Sequence, residues 1–201
     1  MRTAGSQVAP ERPADAPLHH DVGVPTFIAF LRAVNVGKRK YPMAELREAL
    51  ANAGFEAVET HIQTGNVLLR TSLRSRTAVI AALEEAMLAD RGFEVPVVLL
   101  TPAELRRAYD EALAFAEGLD LKGHYLSLLA SPPDPEAAAR LVAKATEGEV
   151  VRVGARAVHL MLEAKGYHET TVSNALVERH LGTATTRNLT VVTKLVEKWG
   201  P

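Results

Sequence analysis

The same order of apolar patterns occurs twice along this chain. From Thr26 to Leu100 the spacing of apolar residues predicts strand, helix, strand, strand, helix and strand. From Lys122 to His180 it predicts strand, helix, strand, strand and helix, and a last helix is predicted from about Thr186. The order βαββαβ is typical of the ferredoxin-like unit. The sequence therefore predicts an α+β fold of two tandem ferredoxin-like α/β sandwich units, related by duplication, with C-terminal helices.

Composition divides the chain into four segments. Residues 1–24 are rich in proline and lack an apolar run, which is typical of a disordered N-terminal tail. Residues 25–101 form the first predicted unit, and residues 102–121 form a connecting helix and loop. Residues 122–201 form the second predicted unit with its C-terminal helix.

Charge and residue usage exclude several classes of protein. The formal net charge is -1, so the chain as a whole does not have the strongly basic character of a general nucleic-acid binder, although a local basic patch remains open. The chain has no cysteine, which excludes disulfides and thiolate metal sites. No apolar stretch approaches the roughly 20 residues that span a bilayer. We therefore expect a cytoplasmic protein that does not associate with membranes.

Two polar segments are predicted to meet at one end of the first sheet. In a ferredoxin-like sheet the first and third strands are antiparallel neighbours, so residues 32–40 after strand one should lie beside residues 61–66 before strand three. Arginine, lysine and amide side chains together with glycines suit an anion or a nucleotide. The candidate ligand-binding residues here are Arg32, Asn35, Gly37, Lys38, Gln63, Gly65 and Asn66. The alternative is pure architecture, in which residues 64–66 are a hairpin turn and Arg32 pairs with a carboxylate such as Glu45.

A second polar motif lies near the C-terminus, at Thr185, Thr186, Arg187 and Asn188, and the last three are candidate ligand-binding residues. Thr186 is predicted to cap the last helix, which would place Arg187 in its first turn. Free backbone N–H groups at that position favour anions. The alternative is a helix cap with an exposed arginine.

Three segments of the chain carry a family resemblance. The segments read FIAFLRAVNVGKRKYPMAELREAL, HIQTGNVLL and TATTRNLTVVTKLVE. They resemble, in order, the LRGINVGG, PMAELR, IQSGN and TxRNWxTVxKL motifs of the bacterial domain-of-unknown-function 1697 family. The resemblance runs from about Thr26 to Trp199 and implies a cytoplasmic α/β protein without an established activity. The chain departs from the family at Ala33 and Lys38, where glycine is usual, and at Leu189, where tryptophan is usual.

Other site chemistries lack their sequence signatures. The chain has no HExxH motif, no G-x-S-x-G elbow and no phosphate-binding glycine-rich loop of the Walker or dinucleotide type. Strand three carries no aromatic residue, so an open base-stacking sheet is not expected. That apolar sheet face should instead pack against the second unit or another copy of the chain. We expect no metal and no cofactor.

Three functions fit these residues. The first is binding of a phosphate-bearing or other anionic ligand, such as a nucleotide or a nucleic-acid backbone, at the polar end of the first sheet. The second is an enzyme that acts on a small phosphorylated ligand without a metal or covalent nucleophile, with Glu45, Glu163 or His61 as acid–base candidates. The third is a structural or protein-interaction module, and a homodimer is compatible with each. The sequence favours the first and leaves open whether any reaction is catalysed.

Overall fold

The computed structural model describes residues 23–37 and 39–201. The predicted N-terminal tail lies outside the described residues except for its last two positions, and so does Lys38. The described part is a mixed α+β protein with two four-stranded antiparallel sheets and six α-helices.

The first sheet is formed by residues 26–100. Its elements in chain order are β1 (Thr26–Leu31), α1 (Met43–Asn52), β2 (Glu56–His61), β3 (Asn66–Arg70), α2 (Arg76–Arg91) and β4 (Val97–Leu100). The strand order is β2-β3-β1-β4. The expected antiparallel pairing of β1 with β3 is present, and Phe30 faces Asn66 at the end where the two polar segments were predicted to meet.

The second sheet follows a connecting helix, α3 (Pro102–Ala116), which begins with a capping box between Thr101 and Glu104. Its elements are β5 (Gly123–Leu129), α4 (Pro135–Val142), β6 (Glu149–Val153), β7 (Ala157–Leu162), a short 3₁₀ turn (Tyr167–Glu169), α5 (Asn174–Leu181), β8 (Ala184–Asn188) and α6 (Leu189–Trp199). The strand order is β6-β7-β5-β8, which repeats the order of the first sheet.

Strand β8 corrects the sequence-based interpretation of the C-terminus. Thr186 does not cap the last helix, and Arg187 is not in its first turn, because both lie within β8. The capping residue of α6 is Asn188, whose side chain accepts a hydrogen bond from the backbone N–H of Val191 at 2.8 Å. The segment was not recognised as a strand because its side chains are polar, and their burial depends on partners elsewhere in the chain.

Smaller departures concern the first unit. The apolar pattern of residues 27–34 predicts a first strand that reaches Val34, but β1 ends at Leu31, because the backbone at Ala33 has a φ of 55° and leaves the extended conformation. The amphipathic pattern of residues 75–91 predicts that Leu88 faces inward, but Leu88 is exposed. The buried stripe of α2 passes through Val79, Leu83 and Met87, and Leu88 follows Met87 by one residue, which turns it out of that stripe.

The described part has five layers, which pack together through three hydrophobic cores. The outer face of the first sheet packs on α1 and α2 through Ala29, Leu31, Leu46, Leu50 and Leu83. The outer face of the second sheet packs on α4 and α5 through Leu129, Leu141, Leu160 and Val177. Helices α3 and α6 lie between the two sheets, in a core that includes Ile28, Phe30, Leu105, Leu126 and Leu195. The apolar inner face of the first sheet is therefore covered by helices α3 and α6 of the same chain.

Candidate functional site at the junction of the two units

The loop after β1 and the turn before β3 are in direct contact. The backbone N–H of Leu31 donates to the carbonyl of Gly65 at 2.7 Å. Gly65 has a φ of 73°, and a Cβ atom there would lie 2.7 Å from both Leu31 Cβ and Val34 Cγ2. Only glycine satisfies both the left-handed backbone and this close approach. The two polar segments therefore converge as their order in the chain predicts.

Asn35 holds the loop in its shape. Its Nδ2 donates to the carbonyls of Tyr41 at 3.0 Å and Gln63 at 2.8 Å. Its Oδ1 accepts from the backbone N–H of Tyr41 at 2.9 Å. The amide thus ties the loop to the turn before β3. In the described structure Asn35 and the Gln63 carbonyl act as framework.

Asn66 is fully buried between the two units. Its Nδ2 donates to the carbonyl of His61 at 3.1 Å and to Thr64 Oγ1 at 3.0 Å. Its Oδ1 accepts from Arg187 Nε at 2.6 Å. One amide therefore closes the turn of the first sheet and binds the edge strand of the second.

Arg187 is the centre of this junction. It lies opposite Leu126 in the sheet register, so its side chain leaves β8 on the face that carries the inner core. Besides the bond to Asn66, its Nη1 donates to Thr185 Oγ1 and the Thr186 carbonyl, each at 2.9 Å. Its Nη2 donates to the carbonyls of Thr64 at 2.9 Å and Leu31 at 3.2 Å. All five guanidinium N–H groups are accounted for by these contacts.

The positive charge of Arg187 has no carboxylate partner among the described residues. Its exposure is 8%, and burial lowers its pKa to about 10, which leaves it charged at neutral pH. Arg156 is the other buried arginine of the described chain, and its Nη1 lies 2.5 Å from Glu104 Oε1. The two buried guanidinium groups therefore differ, since acceptor dipoles surround both but a carboxylate neutralises only Arg156.

Thr186 and Asn188 support the same strand. Thr186 Oγ1 donates to Asn174 Oδ1 at 2.8 Å, and it lies 2.8 Å from the hydroxyl of Ser127. Asn188 caps α6 as described above. Both side chains therefore position β8 and the first turn of α6.

Arg32 points to a different part of the second unit. Its Nη2 lies 2.5 Å from Glu178 Oε2 on α5, and 40% of the Arg32 side chain is exposed. Glu45, the partner considered from the sequence, pairs instead with Arg91. Arg32 is thus an ion-paired link between the units at the edge of the junction.

A cleft of about 310 Å³ opens beside Arg187, and we call it the junction cleft. Its polar lining is Thr64, Thr185, Thr186, Arg187 and Asn188, and its apolar lining is Leu31, Ala33, Val34, Val36 and Val191. Val36 is 66% exposed, although it is aliphatic. The cleft therefore combines an unneutralised buried cation, hydroxyl groups and the first turn of a helix, which together favour an anion.

The chain matches a known protein family. The family model described as a protein of unknown function (DUF1697) matches residues 24–159. The chain belongs to this family. The family model therefore covers the β1 loop and the turn before β3.

One solved structure resembles the whole architecture. The chain is similar to a conserved bacterial protein of Streptococcus pneumoniae, with 24% identity and a TM-score of 0.71. The match covers 88% of this chain and 99% of the pneumococcal chain. At this identity the likeness shows the fold. No curated protein matches the chain.

The structure shows the backbone conformation or packing of residues at which the chain departs from the family motifs. Ala33 stands where glycine is usual, and its φ of 55° is a conformation that glycine adopts without strain. Leu189 stands where tryptophan is usual, and it packs against the core between the sheets. Gly37 has a φ of 57°, and Lys38 lies outside the described residues.

Sequence reasoning did not single out Thr64 and Val191 as cleft residues, and it placed Thr185 in the C-terminal motif without recognising a strand there. A signal for that strand was present, since β-branched threonines recur at 183, 185 and 186. No local signal marks Val191, because it reaches the cleft only through the position of α6.

Neither a metal centre nor a membrane segment is found in the described part. Among residues 23–37 and 39–201, no group of three or more His, Asp or Glu side chains is arranged to hold a metal ion. Within the same ranges, no helix is both long enough and apolar enough to cross a bilayer.

Proposed function

We propose that the chain is a binding protein for a small phosphate-bearing or other anionic ligand, and that the ligand occupies the junction cleft. The observation that carries this proposal is the charge of Arg187. It is buried, it lines the cleft, and no described carboxylate neutralises it. Buried charges in proteins are normally paired, so an anion in the adjoining cleft would complete the arrangement.

The ligand is attracted by Arg187 through space. Because the five N–H groups of Arg187 and the backbone N–H of Val191 are already engaged, direct donors to the ligand are the hydroxyls of Thr64 and Thr185. At an effective dielectric constant of about 20, two unit charges about 5.5 Å apart attract each other by on the order of 3 kcal/mol before desolvation is counted. This attraction is large enough to select anions over neutral molecules.

The remaining sequence-derived candidates divide into two groups. Asn35, Gly65, Asn66, Thr186 and Asn188 form the framework, through the contacts described above. Gly37, Lys38 and Gln63 are proposed as rim residues around the cleft, and Arg32 as an ion-paired residue at the edge of the junction. Lys38 enters this proposal on its sequence position alone.

The described structure favours binding over catalysis. None of the three acid–base candidates lines the junction cleft: Glu45 is paired with Arg91, His61 packs edge-on to Trp199 at 6.3 Å, and Glu163 lies after β7 on the second sheet. We therefore propose no reaction.

We also propose that the two units are tandem ferredoxin-like sandwiches produced by duplication, with boundaries at 25–101, 102–121 and 122–201, in a cytoplasmic protein. The repeated strand order of the two sheets supports this interpretation. Two units that arose by duplication are expected to have the same connectivity of strands and helices.

The test is a thermal-shift and calorimetric titration with inorganic phosphate, adenosine monophosphate and a short single-stranded RNA. The decisive variant is Val191→Asp, which places a negative charge in the cleft and, in the first turn of α6, does not oppose the helix dipole. Ala78→Asp on α2 is the matched control, because Ala78 is an exposed residue in the first turn of a helix outside the cleft. We expect the wild type and Ala78→Asp to bind and Val191→Asp to lose binding. Equal binding by Val191→Asp, or no binding of any probe to the wild type, would contradict the proposal.

A further inference from the structure

A second and larger cavity lies on the opposite flank of the first turn of α6. It has a volume of about 510 Å³ and opens between the end of α3 and the start of α6, above the beginning of β5. We call it the flank cleft. The residues that matter for its chemistry are Lys122, His124, Asn188, Thr190 and Lys194. It shares only Asn188 with the junction cleft.

His124 is the unexplained group of this cavity. It lies on β5 two residues before Leu126, so its imidazole is on the sheet face that α3 and α6 cover. Its exposure is 8%, and neither ring nitrogen has a hydrogen-bond partner among the described residues. Its aromatic neighbour is His159, at 5.6 Å between ring centroids. An unsatisfied buried imidazole is costly, so its position at the flank cleft calls for an explanation.

The charges around the flank cleft are mostly positive. Lys122 Nζ makes one long contact of 3.4 Å to the carbonyl of Ala164. Lys194 Nζ lies 2.8 Å from Glu197 Oε2, and both of these side chains are more than half exposed. An exposed ion pair is easily exchanged, since such pairs are worth less than about 1 kcal/mol. The first turn of α6 adds the positive end of a helix dipole at Thr190.

We propose that the flank cleft is a second ligand site, which binds a small organic anion. The carboxylate or phosphate group of the ligand lies at the first turn of α6 between Lys122 and Lys194. The body of the ligand covers His124, and because both ring nitrogens are enclosed in the unliganded chain, the imidazole rotates to bring one of them to a polar group of the ligand. Ala116, Leu121 and Leu189 provide the apolar walls that such a body requires.

The experiment uses the full-length chain labelled at its histidine rings and valine methyl groups, titrated separately with phenyl phosphate, benzoate and inorganic phosphate. Binding in the flank cleft is expected to shift the ring signals of His124. Binding in the junction cleft is expected to shift the methyl signals of Val36, which lines only that cleft. The two proposals therefore succeed or fail independently.

Lysine variants give the matched comparison. The double variant Lys122→Ala/Lys194→Ala should raise the dissociation constant of the organic anion by about tenfold, from roughly 0.7 kcal/mol lost per lysine. The double variant Lys40→Ala/Lys144→Ala removes the same charge from exposed positions outside the flank cleft and should leave that constant unchanged. A larger effect of phenyl phosphate than of benzoate identifies a phosphate-bearing ligand, and the reverse identifies a carboxylate.

Two results would overturn the proposal. One is the absence of any His124 shift with phenyl phosphate and with benzoate. The other is a His124 shift whose concentration dependence is the same in both double variants, since binding would then not use the lysines of the flank cleft.

Discussion

Asn66 and Arg187 are 121 residues apart in the chain, and their side chains form a 2.6 Å hydrogen bond in the interior. Asn66 also donates to the carbonyl of His61 and the hydroxyl of Thr64, so one side chain joins the turn of the first sheet to the edge of the second. The packing of the two units and the shape of the junction cleft depend on this contact.

Replacing Asn66 by alanine should therefore destabilise the whole protein. The change removes an acceptor from a buried guanidinium and leaves two backbone or hydroxyl acceptors without their donor. We expect the free energy of unfolding to fall by about 2–4 kcal/mol, as measured by urea denaturation. Asn52→Ala, at an exposed position on α1, should change it by less than about 0.5 kcal/mol. Similar small losses in both variants would show that the buried contact is not important for stability.

Gly65→Ala should be more damaging than an alanine at another left-handed glycine. The new Cβ atom would lie 2.7 Å from Leu31 Cβ and Val34 Cγ2, in a backbone with a φ of 73°. Gly92, which ends α2, has a φ of 69° but has no atom within 4 Å of such a Cβ. We expect Gly92→Ala to cost about 1 kcal/mol and Gly65→Ala at least about 2 kcal/mol more, from thermal or urea unfolding. Equal costs would mean that the close approach at Gly65 relaxes freely.

Ala33→Gly should stabilise the chain, in contrast to most substitutions by glycine. Ala33 has a φ of 55°, where an alanine is strained by about 1 kcal/mol and a glycine is not. Part of the gain is offset by the greater freedom of glycine in the unfolded chain, so we expect a net increase of about 0.5 kcal/mol. Ala51→Gly within α1 is the control and should instead cost about 1 kcal/mol. A loss of stability in Ala33→Gly would contradict the assignment of strain to this loop.

Acid should destabilise the protein through His124 and His159. Burial lowers the pKa of His124 to about 4 and, helped by the proximity of His124, that of His159 to about 3. In the unfolded chain both imidazoles bind a proton near pH 6.5, whereas in the folded chain they do not. The free energy of unfolding is therefore largest above pH 6.5 and falls as the pH decreases toward 4. Glu111 Oε2 is the facing carboxylate, at 3.8 Å from His159 Nε2, and it moderates the effect.

Urea denaturation at pH 7 and at pH 5 measures this dependence. We expect a loss on the order of 4 kcal/mol between the two pH values when both histidines contribute. The double variant His124→Leu/His159→Leu should lose much less over the same interval. An equal pH dependence in the variant would assign the acid sensitivity to other groups.

Much of the fold of the first unit can be predicted from local sequence patterns. Short continuous apolar runs define β1 and β3, and the order of elements makes them antiparallel neighbours, so the meeting of residues 32–37 with 61–66 can be predicted from the chain alone. The role of Gly65 can also be predicted, because a turn at this position requires a residue with a left-handed backbone conformation. Residue types also predict a polar end of the sheet that suits an anion.

Only the tertiary structure determines which groups are the hydrogen-bond partners of the polar side chains of β8. Strand β8 is polar, and Arg187 is buried because Asn66 and the carbonyls of Leu31 and Thr64 receive its hydrogen bonds, while the half-buried Thr186 donates to Asn174. The acceptor that lies farthest from Arg187 in the chain, the carbonyl of Leu31, is 156 residues away, so no local pattern could show that Arg187 is interior. The sequence by itself determined which elements form and which side chains are polar. Tertiary packing decided which of those polar groups are buried, since the cost of burying them is offset only by partners that distant parts of the chain supply.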